Sequence, residues 1–171
     1  FLTQTKDFLP DEFRDKIGTR VYGCDTCQAV CPWNKQVDFH NHPEFEPDPE
    51  VAKPVLKPML RMSNREFREK FGHLSGFWRG KKPLQRNAIL GLAHYRDETA
   101  VDELIQVMEQ DVRPVIRGTA AWALGKIGTK KAYHAILNAM SDEKDDQVLY
   151  EMEKGIELAK RQLDKASPSR R

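Results

Sequence analysis

The residues best suited to chemistry are Cys24, Cys27 and Cys31, the only cysteines of the 171-residue chain. They stand in the run Cys24-Asp25-Thr26-Cys27-Gln28-Ala29-Val30-Cys31-Pro32. A C-x2-C turn lets two thiolates reach one metal centre. A cysteine followed by proline also closes bacterial ferredoxin runs, where that last sulfur ligates the other of two clusters. The Cys-Pro ending therefore favours iron–sulfur over zinc. Two alternatives stay open: half a zinc site completed by His40 or His42, and a thiol-redox C-x-x-C, which would leave Cys31-Pro32 without a role. If a cluster needs four thiolates, at least one ligand must come from residues outside this chain or from another chain.

The composition sets bounds on what carries these sulfurs. Hydrophobic residues make up 39% of the chain, enough for a packed core, and the net charge of +2 does not by itself demand nucleic acid. No run of about 18 apolar residues suggests a membrane span. The start, Phe1-Leu2-Thr3-Gln4, lacks the basic and apolar regions of a signal peptide. Clustered thiols without such a signal fit a reducing compartment, and a cytoplasmic monomer is expected. The absence of an initiator methionine suggests a fragment or processed product, so an incomplete site is expected and the piece alone is expected to be inactive.

Residues 1–38 carry a short helical candidate around Asp11–Lys16, then the cysteines. Residues 39–62 hold His40, His42 and five prolines, Pro43, Pro47, Pro49, Pro54 and Pro58. That density blocks regular helix and predicts an extended linker. Residues 63–166 read as helical repeats and 167–171 as a disordered tail. Ser63-Asn64-Arg65-Glu66 has capping-box spacing, Phe67 and Phe71 share a face, and Gly72 and Gly76 mark a stop. Pro83-Leu84-Gln85-Arg86 aligns with Pro114-Val115-Ile116-Arg117 at an offset of 31. A period near that value with two helical patterns per unit reads as an α-solenoid. The stretch Arg117–Gly128 resembles the first helix of HEAT-like repeats. A third, more charged unit at about Asp145–Lys165 fits a terminal cap.

The run Ile17-Gly18-Thr19-Arg20-Val21-Tyr22-Gly23-Cys24-Asp25-x-Cys27-Gln28-x-x-Cys31-Pro32-Trp33-Asn34 closely resembles epoxyqueuosine reductase. Phe1-Leu2-Thr3, Asp7-Phe8-Leu9-Pro10, the proline-rich link and the HEAT-like tail extend the resemblance over nearly the whole chain. It implies a mainly α protein: the C-terminal part of a ferredoxin-like 4Fe-4S module, followed by a HEAT-like domain. It also implies two 4Fe-4S clusters, with Cys24 and Cys27 on the one nearer a cobalamin and Cys31 on the other. An external donor would supply electrons, and the reduced corrinoid would remove the epoxide oxygen of epoxyqueuosine at the tRNA wobble position. The family's cobalamin-binding half, its first cysteine run and its proton-donating acid are not matched here, so no catalytic acid is assigned. Asp25 and Thr26 are candidates to approach the cobalamin through backbone amides, against a plainer role in shaping the turn.

Holding an anticodon stem-loop needs cations for phosphate and flat groups for unstacked bases. Trp78, Arg79, Lys81 and Lys82 supply both, and Arg86 and Asn87 follow at the start of the first repeat helix. Arg117 recurs one period later, with Lys130 at the next turn. Together these residues are expected to line one tRNA-binding ridge. Against that, repeat arginines such as Arg117 often pair with acids of the neighbouring unit, and Trp122 lies among alanines and reads as core. His40 and His42 read as surface residues. The rival reading is a non-catalytic iron–sulfur electron-transfer or scaffold protein whose solenoid binds a protein.

Overall fold

Ser63 starts a helix because two backbone donors are satisfied reciprocally. The Glu66 N–H donates to Ser63 Oγ (3.1 Å), and the Ser63 N–H donates to the Glu66 carboxylate (2.7 Å). The computed structural model describes residues 2–35 and 42–166. His40 and the tail 167–171 therefore lie outside the described residues. Among those described, the regular elements are all helical: α1 (Asp11–Ile17), α2 (Thr26–Ala29), α3 (Pro49–Ala52), α4 (Leu56–Met59), α5 (Asn64–Phe71), α6 (Lys81–Tyr95), α7 (Val101–Gln110), α8 (Pro114–Ile127), α9 (Lys130–Ala139) and α10 (Asp146–Ala166). None of them is long and apolar enough to cross a membrane.

The proline-rich segment corrects the expectation of an extended linker. It forms the one-turn helices α3 and α4. Pro49 sits in the first turn of α3, where its missing N–H is an orphan anyway, and the Asp48 carboxylate accepts from Glu50 N–H at 2.9 Å. The segment then buries Met59 and Leu60, so it adds to the core rather than merely spanning a gap.

The period read at Pro83 and Pro114 is carried by α6 and α8. Both are buried on nearly every side, packed against each other and, for α8, also against α7, α9 and α10. Small residues allow the close approach. Ala88, Ala93, Ala120, Ala121 and Ala123 are fully buried, and Trp122 is 7% exposed, as expected for core. Gly128, at φ +80°, ends α8 in the left-handed conformation that favours glycine. Thr129 then caps α9 by accepting from Ala132 N–H at 3.1 Å. The third unit is one long helix, α10, lying along α8 and α9.

Residues 2–21 are bound to this stack by buried polar groups. Arg86 is 1% exposed and donates to the carbonyls of Leu2 (2.8 Å), Thr5 (2.9 Å) and Asp7 (2.6 Å). Asn87, 0% exposed, donates to Thr3 O (2.8 Å) and Val21 O (2.7 Å). Burial, with the Arg14 charge second, draws the Arg86 guanidinium down to about 10, so it stays cationic at neutral pH. This corrects the placement of Arg86 and Asn87 on a tRNA-binding ridge. Their donors are spent on backbone carbonyls, and both side chains are buried.

Candidate iron–sulfur site and cationic face

The cysteine loop is shaped by two glycines with positive φ. Gly18 (φ +57°) terminates α1, and Gly23 (φ +71°) turns the chain immediately before Cys24. The single turn α2 follows, with Ala29 N–H donating to Asp25 O at 2.8 Å and Val30 N–H to Thr26 O at 3.1 Å. Cys31 is extended (φ −69°, ψ 122°), the conformation a residue before proline prefers. Cys24 and Cys27 are exposed and Cys31 is half-buried; none is in a disulfide.

Cys24 Sγ lies 3.1 Å from Thr26 Oγ1, and Arg20 Nη2 lies 3.2 Å from the same hydroxyl. The Thr26 hydroxyl first, then its backbone N–H and the Arg20 charge, hold the Cys24 thiol below its ordinary value. That shift favours the thiolate, which is the form that ligates metal. The loop lines an open hollow of about 1090 Å³ together with residues of the proline-rich segment, among them Asp48 and Lys53. Asp25 is exposed at the start of α2 and makes no side-chain capping bond.

Among the described residues, no three His, Cys, Asp or Glu side chains gather where one metal ion would sit. Cys24, Cys27 and Cys31 are thus not aimed at a single ion. Soft sulfur donors on an exposed loop fit iron–sulfur ligation. Three thiolates do not complete even one four-cysteine cluster. His42 is exposed and sits 3.2 Å from the Glu44 carboxylate.

Tyr22, two residues before Cys24, lies against Gly76, the residue that leads into the aromatic–cationic turn Phe77–Arg79. A β-carbon on Gly76 would fall 2.3 Å from Cζ of Tyr22, so only glycine lets that ring lie against the turn. Trp78 is 67% exposed, and the Arg79 guanidinium sits 4.1 Å from its ring centroid. Arg79 Nε is buried with no hydrogen-bond partner among the described residues. Lys81 is turned inward, its Nζ 2.6 Å from Met62 O, and burial lowers its pKa. Lys82 is half-buried and Lys130 exposed.

Arg117 is committed to an ion pair. Its Nε and Nη2 lie 2.7 and 2.9 Å from the Glu143 carboxylate, and Nη1 donates to Asp111 O at 3.0 Å. The acid of the neighbouring unit that pairs with it is Glu143. The Arg117 hydrogen bonds, helped by the N–H groups of Asp145 and Lys144, hold Glu143 at about 2 against an ordinary 4.5. A carboxylate lowered in this way stabilises the fold above pH 4.5, and the contribution is lost as pH falls towards 2. Glu143→Gln should therefore flatten the dependence of urea-unfolding free energy on pH within that window. A slope equal to wild type would show that the pair contributes nothing there.

The fold and site define a class: an iron–sulfur ligand loop mounted on a short HEAT-repeat stack. The family model described as 4Fe-4S double cluster binding domain matches residues 1–34, and that described as HEAT repeats matches residues 79–157. The chain belongs to the epoxyqueuosine reductase family. It is 67% identical over 160 residues to epoxyqueuosine reductase of Bacillus subtilis (strain 168), a match covering 94% of this chain and 42% of that protein. Its structure is similar to that of an epoxyqueuosine reductase crystallised with an epoxyqueuosine-modified tRNA stem loop, with a TM-score of 0.90, 67% identity and coverage of 93% and 42%. The Streptococcus thermophilus enzyme is similar at a TM-score of 0.80 and 38% identity, with coverage of 94% and 42%. The chain thus spans about 42% of the length of these relatives.

Proposed function

We propose that this chain supplies the cysteine run and the tRNA-holding repeats of an epoxyqueuosine reductase, a cytoplasmic monomer that converts epoxyqueuosine to queuosine at the wobble position of tRNA. The observation that supports this most is the packing of Tyr22, just before Cys24, on Gly76, just before the Trp78–Arg79 turn. It brings redox ligands and a base-stacking platform into one region. The reaction takes two electrons and two protons, removes the epoxide oxygen as water and leaves a carbon–carbon double bond. Cobalamin and two 4Fe-4S clusters, fed by an external donor, would supply the electrons when bound. Cys24 and Cys27 would hold one cluster and Cys31 the other. Asp25 and Thr26, between the ligands, would approach the corrinoid through their backbone amides.

Trp78 would stack an unpaired base of the anticodon stem-loop, and Arg79, Lys82 and Lys130 would meet phosphates. Lys81, Arg86, Asn87 and Arg117, engaged as described above, would act by holding the stack together. In the native full-length protein, isolated without oxygen, wild type should contain iron and sulfide and form queuosine in tRNA. Cys24→Ser should bring conversion to background. A wild type without iron would end this reading, and iron without conversion would favour the electron-transfer or scaffold alternative.

Lys82→Ala should weaken stem-loop binding and reduce the slope of log affinity against log salt by about 1, the signature of one lost phosphate contact. Arg117→Ala should lower stability and leave the slope alone. A slope unchanged in Lys82→Ala would remove that residue from the interface.

A further inference from the structure

The hydrogen bonds around Cys24 have a direction fixed by chemistry. Arg20 is anchored at the end of α1, its Nη1 donating to Lys16 O (3.3 Å) and Ile17 O (3.2 Å). Its Nη2 lies 3.2 Å from Thr26 Oγ1. A guanidinium carries donors only, so Thr26 must accept from Arg20. The hydroxyl hydrogen is then left for another acceptor, and Cys24 Sγ lies 3.1 Å away. The order of donation runs from Arg20 to Thr26 to the sulfur. Among the described residues, Cys27 and Cys31 have no side-chain hydrogen-bond partner of this kind.

We propose that Thr26, oriented by Arg20, donates a hydrogen bond to the Cys24 sulfur of the bound cluster and so raises that cluster's reduction potential. The inference rests on Cys24 being a cluster ligand, as proposed above. A reduced cluster carries more negative charge on its sulfurs, so a donor stabilises the reduced form more than the oxidised one. Thr26 is thus a tuning residue at a ligand sulfur, and Arg20 is the positioning residue behind it. The arrangement is one-sided, because it serves the cluster bound by Cys24 and not the one reached by Cys31. Electrons would therefore be biased towards the cluster that Cys24 holds.

The test is an EPR-monitored redox titration of the native full-length protein, purified without oxygen, with iron counted for every variant. Thr26→Val keeps the shape and removes the donor. It should shift one of the two midpoint potentials to a lower value and leave the other unmoved. Arg20→Gln should shift the same cluster in the same direction by less, and Thr26→Ser, which keeps the hydroxyl, should restore it. Two wild-type potentials in Thr26→Val at full iron content would overturn the proposal, as would Thr26→Ser shifting as far as Thr26→Val. If Thr26→Val loses iron, Arg20→Gln decides: an unmoved potential there refutes the relay. Absence of iron from the wild type would instead refute the cluster reading on which the relay stands.

Discussion

Alanine at position 125 should destabilise the protein, and valine should do so by about 3 kcal/mol, the upper end of the range for an overpacked core. Helix propensity alone predicts the opposite, since replacing a mid-helix glycine by alanine is worth about 1 kcal/mol of stabilisation. Packing decides the sign. A β-carbon on Gly125 would stand 2.2 Å from Gly155 O and 2.4 Å from Gly155 Cα. The atoms it meets are backbone of α10, not the movable end of a side chain, so relief requires the two helices to separate. The reciprocal position is also tight, with a β-carbon on Gly155 falling 2.6 Å from Ala121 O. The α8–α10 crossing therefore has two glycines at its closest approach, and it joins the last repeat to the rest of the stack. Urea unfolding of Gly125→Ala is the decisive measurement. A midpoint at or above wild type would mean that the helices move apart at little cost and that the crossing does not fix the stack.

What the sequence discloses divides along local and non-local lines. The cysteine run, the capping box at Ser63 and Glu66, the period between Pro83 and Pro114 and the burial of Trp122 each depend on neighbours within a turn or one repeat. Residue type and spacing were enough to read them. Arg86 and Asn87 were misread for the converse reason. At a helix start beside Lys81 and Lys82 they look like surface cations and polar groups. The carbonyls that consume their donors belong to Leu2, Thr3, Thr5, Asp7 and Val21, some 66–84 residues away in sequence. No local pattern encodes that pairing. The proline-rich segment was misread because proline density forbids long helices but not single turns begun by proline, as at Pro49. The Arg20–Thr26–Cys24 hydrogen bonds are hard to read from sequence because a threonine between two ligands looks like a turn former. The available signal was an arginine four residues before the first cysteine, just beyond a helix whose last carbonyls need a donor.

Glu151→Leu should cost roughly 3–5 kcal/mol, the range for breaking one side of a buried ion pair. Arg14 and Glu151 are each 4% exposed at the side chain and meet in a two-pronged contact of 2.5 and 2.8 Å. Arg14 Nε also donates to Leu9 O at 2.7 Å, and the guanidinium lies over the Trp122 ring at 5.2 Å. Removing the carboxylate would leave Arg14 buried within electrostatic reach of Arg86, with only the half-exposed Asp11 at 3.1 Å as counter-charge. A buried guanidinium left beside a second buried cation, with one exposed carboxylate that Lys154 also engages, is worse than either a complete pair or none. Arg14→Met combined with Glu151→Leu should therefore recover most of the loss, because an apolar pair of similar volume carries no desolvation penalty. The consequence reaches the cluster loop. Arg14 is on α1, which leads through Gly18 and Arg20 into Cys24, while Glu151 is on α10 at the far end of the chain. The pair ties the last repeat to the element that aims the sulfurs. Hydrogen exchange of the α1 amides should accelerate in Glu151→Leu and return towards wild type in the double variant. A double variant as unstable as the single one would show that the side chains act through shape and not charge.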